Sequence, residues 1–297
     1  MRSNKRRIGF ICLCVVPASV LFFLFMLLPT FNVFRYSLYK WGRSESTFIG
    51  FKNFVDLFTG FSSKNFIQSL QNTTLIIVVV TIITFFFAIV FAAILTREKL
   101  KGQNFFRVIF YIPNILSVTV IAGVFSAIYA KDANEGLLNA ILSFFKGEPV
   151  ALGWKFELAM VSLIIAMVWQ AIGYYMVMYM SSMSAVSLSL YESAGLDGAG
   201  RLKQFFQITL PLIWTNLRTT LTFFIISTIN MAFLFIRALW GTANLSGTSL
   251  DNFTTLNYMA TMKGRGMQMA VGVVIFLFSF LLSALVSKVT KRDVLEV

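Results

Sequence analysis

Residues 72–96 read NTTLIIVVVTIITFFFAIVFAAILT, with no charged residue and, after Asn72, no polar residue but threonine. A run of that length is a membrane span, because ~20 apolar residues rising 1.5 Å each cross the ~30 Å hydrocarbon core of a bilayer. Working outward, further uncharged runs occupy 8–34, 108–130, 158–190, 219–236 and 266–287. The fourth exceeds one span, and its serine-rich tail at 181–187 is polar enough to mark the exit from the bilayer. The fifth is short, so its helix is expected to begin near Ile213, with Arg218 snorkelling to the interface. The chain therefore reads as an all-α integral membrane protein, one transmembrane domain over 1–297. Its six expected transmembrane helices lie at about 8–34, 72–95, 107–130, 158–180, 213–236 and 267–288.

The composition agrees with that reading: 58% of the residues are hydrophobic and 12% charged, against roughly 45–50% and 25% in soluble domains. With 33 phenylalanines and no histidine, a soluble core is excluded, as are histidine-ligated metals, histidine proton relays and Ser-His-Asp hydrolysis. The two cysteines, Cys12 and Cys14, point about 200° apart on a helix and cannot form a relaxed disulfide there. They are expected to be small buried residues. The basic start, Arg2, Lys5, Arg6 and Arg7, precedes a run longer than a signal peptide's apolar region, interrupted by Pro17 and Pro29, so a retained first helix is expected.

The net charge of +13 would suggest nucleic acid in a soluble chain, but its distribution argues for topology. With the N-terminus inside, 14 of the 25 Lys and Arg fall in short inner segments, about twice the density of the longer outer loops. Both termini are thus expected in the cytoplasm, with the protein in the cell membrane and no nucleic-acid partner. No span carries a charge at its middle, which counts against ion or proton pumps. The polar residues within the spans are uncharged: Asn114, Ser117, Gln170, Tyr174, Tyr175, Thr222, Ser227, Thr228 and Asn230. Such groups either line a path for a neutral, hydroxyl-rich solute or hydrogen-bond one helix to another.

Between the fourth and fifth spans lies the loop 187–211. Gly195, Gly198 and Gly200 permit a tight turn, Asp197 is placed to cap a second helix, and Phe205, Phe206 and Ile208 give that helix an apolar face. Pro211 suits entry to the next span. Two short helices broken at a glycine, held at the membrane, make a docking surface.

Glu192, Ser193, Ala194, Asp197, Gly198, Ala199, Phe205, Ile208, Leu210 and Pro211 resemble the EAA loop of ABC importer permeases, E-A-A-x-x-D-G-A-x5-F-x2-I-x-L-P. Ser193 replaces the usual alanine. Ser37-Leu38-Tyr39-Lys40-Trp41, residues 48–54, Asn72-Thr73, Phe106-Arg107, Tyr111-Ile112-Pro113 and Gly136-Leu137-Leu138-Asn139 are similar to the maltose, multiple-sugar and glycerol-phosphate branch. The resemblance implies the type I importer permease fold and a non-catalytic subunit. It also implies a second homologous permease, two ATP-binding ATPase subunits and an extracytoplasmic solute-binding protein as partners. No cofactor is expected on this chain, ATP and magnesium belonging to the ATPase, and no G-x4-G-K-[ST] occurs in the sequence. Glu192 matches the glutamate that pairs with a basic group of the ATPase. In the maltose branch the sugar lies halfway across the bilayer, against the helices flanking the loop. That depth points here to Trp169, Gln170 and Tyr174 before the loop and Thr228, Asn230 and Met231 after it. One stretch departs: residues 240–247 stand where the branch has T-x-G-G-P. The rival reading is an ATPase-independent secondary transporter or channel for a neutral polar solute, although no internal repeat supports it.

Overall fold

The structure, a computed structural model, describes residues 2–41, 46–61, 63–97, 102–132, 135–241, 253–262 and 264–291. The altered stretch at 240–247 therefore lies, from residue 242 on, outside the described residues. In order the elements are α1 (Arg2–Phe22), α2 (Leu28–Ser37), β1 (Tyr39–Trp41), β2 (Ser46–Phe48), α3 (Lys52–Thr59), α4 (Ser63–Arg97), α5 (Gln103–Ile115), α6 (Val118–Ile128) and α7 (Leu137–Lys146). There follow α8 (Ala159–Ser184), α9 (Leu188–Leu196), α10 (Arg201–Gln204), α11 (Leu210–Leu212), α12 (Trp214–Trp240), α13 (Thr255–Thr261) and α14 (Arg265–Val289). β1 and β2 form a two-stranded antiparallel ribbon.

Among the described residues, five helical segments are long and apolar enough to cross a membrane: Phe10–Ser37, Ser63–Thr96, Ala159–Ser184, Trp214–Trp240 and Arg265–Val289. A sixth crossing exists only if α5 and α6 count together, and they meet at 102°. Over the third span expected at 107–130 the structure has two helices with a break between them. Pro113 withholds an N–H from the last turn of α5. Leu116 and Ser117 are extended (ψ 144° and 149°), and the Ser117 hydroxyl caps α6 by accepting from Val120 N at 3.3 Å.

α4 and α8 form the central pair, with α5 laid across α8 and α12 packed on α4, α6, α8 and α14. The crossing of α5 and α8 is close because Gly173 has no side chain: a Cβ there would sit 1.8 Å from the Phe110 carbonyl oxygen. The main core gathers Val80, Phe85, Ile121, Leu163, Met176, Tyr179 and Phe235, and a second one joins Leu57, Phe66, Ile225, Tyr258 and Val271 across α3, α4, α12, α13 and α14. Arg218 lies in the first turns of α12, where it donates to Ser287 Oγ at 2.8 Å and ties that helix to the end of α14.

The first span behaves differently from the expectation for its cysteines. No residue in its most apolar window is buried, and Cys12 and Cys14 are both exposed. α2 packs on the bundle, against α14, while the large apolar side chains from Phe10 to Phe25 are exposed. Both prolines following a Phe-x4-Leu pattern, Pro29 and Pro211, are preceded by a π-helical turn, Phe23–Leu27 and Phe205–Thr209. Leu28 N and Leu210 N reach back five residues to Phe23 O and Phe205 O. The wider turn relieves the collision between a proline ring and the carbonyl four residues earlier.

Candidate functional site

The loop between α8 and α12 folds as two short helical pieces joined by a tight turn. α9 ends in a Schellman arrangement: Gly198 N donates to Gly195 O at 3.0 Å and Ala199 N to Ala194 O at 2.8 Å. This needs a left-handed residue after the cap, and Gly198 has φ +73° with open space around it. The glycine is required by backbone angle, not by crowding. Asp197 sits at the C-terminal cap of α9, and α10 starts from Gly200 without a side-chain cap. The expectation that Asp197 caps the second helix is therefore corrected. The Schellman turn consumes Asp197 and Gly198, leaving Gly200 as the entry residue.

Gln204 holds the two pieces together. Its Nε2 donates to Ala199 O at 2.9 Å and Tyr191 O at 3.4 Å, while the Tyr191 and Thr209 hydroxyls meet at 3.0 Å. Phe205, Ile208 and Pro211 are half-buried, and Phe205 packs against the main core. Phe206 points away, so the apolar face expected from Phe205, Phe206 and Ile208 is divided between the bundle and the outside. Glu192 and Ser193 are exposed, Ala194 and Ala199 half-buried. Leu188 and Leu196 lie one turn before and after Glu192, and both are exposed, Leu196 at 91%. The two leucines flank the carboxylate with exposed apolar surface, and the next piece of the loop adds exposed Leu202 and Phe206. Such a surface combines a charge-assisted bond with buried area on docking. The leucines went unnoticed in the sequence, though their i, i+4, i+8 spacing around Glu192 was readable. Behind the loop a cleft of about 510 Å³ separates it from the ends of α4 and α8, between Ala93, Thr96, Met183 and Phe205.

The polar residues within the spans sort into two groups. Tyr175 bonds to Ser227, the Tyr179 and Thr220 hydroxyls meet at 2.7 Å, and Asn216 donates to Ser182 Oγ. These pairs form an antiparallel ladder that joins α8 to α12. Thr228 is 1% exposed and donates to Phe224 O at 2.7 Å; its hydroxyl is satisfied within its own helix, which takes it off any solute-facing surface. The others stay accessible. Trp169 and Tyr174 are each 40% exposed, Gln170 and Met231 half-buried, and Asn230 exposed. The register of the ladder puts Gln170 and Asn230 at about the same depth, near the middles of α8 and α12. Trp169 meets Phe125 of α6 edge-on at 5.4 Å, and Tyr174 meets Tyr175 at 5.1 Å. The break between α5 and α6 adds a feature that sequence periodicity does not show. α5 meets α8 at Gly173, and α6 meets it at Trp169, so the break lies within the length of α8. Ser117 and Ile115 are exposed there and Asn114 is half-buried.

On the far side of the bundle from the loop, Asn139 organises residues 130–154. Fully buried, it donates to Ala130 O, Lys131 O and Leu152 O at 3.0–3.1 Å and accepts from Trp154 Nε1 at 3.0 Å. Among the described residues no group of His, Cys, Asp or Glu is arranged to hold a metal.

Residues 85–292 match the family model described as binding-protein-dependent transport system inner membrane component. The chain is 38% identical over 205 residues to the probable ABC transporter permease protein YurN of Bacillus subtilis, covering 67% of this chain and 68% of that one. It is 27% identical over 296 residues to the diacetylchitobiose uptake system permease protein NgcF of Streptomyces coelicolor, covering 95% and 82%. In fold it resembles a chain of the bacterial alginate ABC transporter in complex with an alginate pentasaccharide-bound periplasmic protein. That likeness has a TM-score of 0.79 at 20% identity, covering 98% of this chain and 95% of that one.

Proposed function

We infer the role of this chain from its family: it belongs to the binding-protein-dependent transport system inner membrane components, and it is a membrane-embedded permease of an ABC importer. The chain passes a neutral oligosaccharide across the membrane together with a second permease of similar fold. An extracytoplasmic binding protein delivers the solute, and two ATPase subunits, which carry the ATP and magnesium, drive the cycle. Both termini lie in the cytoplasm, and the loop 187–211 meets an ATPase there through Glu192 and its flanking leucines. The chain itself catalyses nothing.

The observation that carries the solute path is the break at Leu116 and Ser117, beside which Ile115 and Ser117 are exposed. Non-helical backbone within the bilayer is tolerated only where protein covers it or water reaches it, never against lipid. Trp169, which meets α6 just beyond the break, and the accessible Gln170, Tyr174, Asn230 and Met231 are accordingly assigned to the path. Tryptophan and tyrosine faces suit sugar C–H surfaces, and the amides of Gln170 and Asn230 each offer donor and acceptor to hydroxyls. The absence of charge among these residues favours a neutral solute, in line with the diacetylchitobiose named for one relative. The test is uptake into vesicles bearing the assembled importer and its binding protein, with neutral and uronic-acid oligosaccharides of equal length. Neutral oligosaccharides should enter and stimulate ATP hydrolysis; uptake confined to the acidic series would overturn the substrate assignment.

A further inference from the structure

α4 is longer than a bilayer is thick. Its 35 residues extend ~50 Å at 1.5 Å each, beyond the ~40–45 Å of a membrane with its headgroups, and its first turns carry Lys64, Asn65, Gln68, Gln71 and Asn72, whereas threonine is the only polar residue from 73 to 96. The turns from Ser63 to Gln71 therefore stand in a headgroup layer, the outer one in the orientation given above. On one face of these turns Lys64, Gln68 and Gln71 follow each other at helical spacing, all exposed, around a depression of about 540 Å³. Gln71 also borders a second groove of about 460 Å³ between α4 and α14, walled by Leu75, Val78, Val79 and Phe278. The only hydroxyl in that wall, on Thr74, is already bonded to Leu70 O at 2.8 Å. The two cavities adjoin at Gln71, the first bordered by a cation and two amides and the second mainly apolar, and together they are treated as one slot.

We infer that this slot holds one anionic phospholipid of the outer leaflet. Lys64 has no ion-pair partner among the described residues, and its flexible stem lets the ammonium reach down to the phosphate plane. The side-chain N–H groups of Gln68 and Gln71 add donors to the phosphate oxygens, and their carbonyls accept from a glycerol headgroup. A zwitterionic lipid would instead bring its own cation against Lys64. Below, an acyl chain lies along Leu75 and Val78 with Phe278 on its other side. The length of the slot from Lys64 to Val78, ~21 Å, matches a phosphate followed by a chain. This site is separate from the solute path and from the loop.

The test uses the full chain with its accompanying subunits, reconstituted in nanodiscs of phosphatidylcholine with a minority of phosphatidylglycerol. Phosphatidylglycerol retained per complex after detergent extraction is counted by native mass spectrometry, alongside solute uptake. Wild-type protein should retain phosphatidylglycerol at least fivefold above its bulk share. Lys64→Glu and Val78→Trp, which reverse the charge and fill the groove, should each abolish that excess, while Lys146→Glu, the same charge change elsewhere, should not. Equal retention in all four proteins would overturn the site. Loss with Lys64→Glu but not with Val78→Trp would reduce it to surface attraction. Cross-linking of Val78→Cys to another subunit would overturn the proposal by showing protein, not lipid, in the groove. Uptake in the same samples reports the transport reading independently, since a lipid result of either sign leaves that measurement intact.

Discussion

At the scale of single residues, the proposal rests its two halves on Glu192 and on the pair Gln170 and Asn230. Glu192→Lys places a cation, still framed by Leu188 and Leu196, where the account puts a basic pocket of the ATPase. The cost is about 2–5 kcal/mol, enough to remove the ATPase from the purified complex or to stop uptake while the chain remains folded in the membrane. Unchanged copurification and uptake would take Glu192 out of the interface. For the solute, Asn230→Leu and Gln170→Leu each leave a sugar hydroxyl unpaired, at ~1–3 kcal/mol, so the half-saturation concentration should rise roughly tenfold to hundredfold. Thr228→Val serves as the control, because that hydroxyl is spent on Phe224 O. Normal uptake by both leucine variants would hand solute binding to the partner permease.

At the scale of elements, the contact of α5 with α8 is the most exacting. Gly173→Ala would drive a methyl into the Phe110 carbonyl, 1.8 Å away, and backbone cannot yield as a side chain tip does. The expected result is a lower unfolding temperature in detergent and loss of the assembled complex, whereas Gly123→Ala, with open space, should behave as wild type. How much of this was legible in the sequence follows the physics of each element. The run at 72–96 announces a span because lipid demands apolar length and nothing else. The loop was legible because its glycines mark a turn between two short helices and its residues resemble the EAA pattern. The break at Leu116 was not, since the flanking apolar pattern continues through it and Pro113 alone does not dictate a 102° bend. Asp197 was misplaced because capping residues look alike before and after a turn. The exposure of Cys12 and Cys14 was hidden for another reason: a lipid-facing helix and a buried one have the same composition.

At the scale of the whole molecule, the long spans, the broken third crossing and the loop between α8 and α12 describe a conduit with a handle. The ladder of Tyr175, Tyr179 and Ser182 against Ser227, Thr220 and Asn216 makes α8 and α12 one rigid pair, and α9 to α11 join the ends of that pair. On the proposed reading, a push on Glu192 is thereby delivered to the two helices that bear Gln170 and Asn230. The rival, a carrier that works alone, lacks any use for this loop. The deciding measurement is ATP hydrolysis by the complex captured through this chain from native membranes. The account predicts an accompanying ATP-binding subunit whose hydrolysis rises with solute-loaded binding protein and falls to its basal rate with Glu192→Lys. Solute uptake by the isolated chain in liposomes, with no ATPase present and abolished by an ionophore, would contradict it.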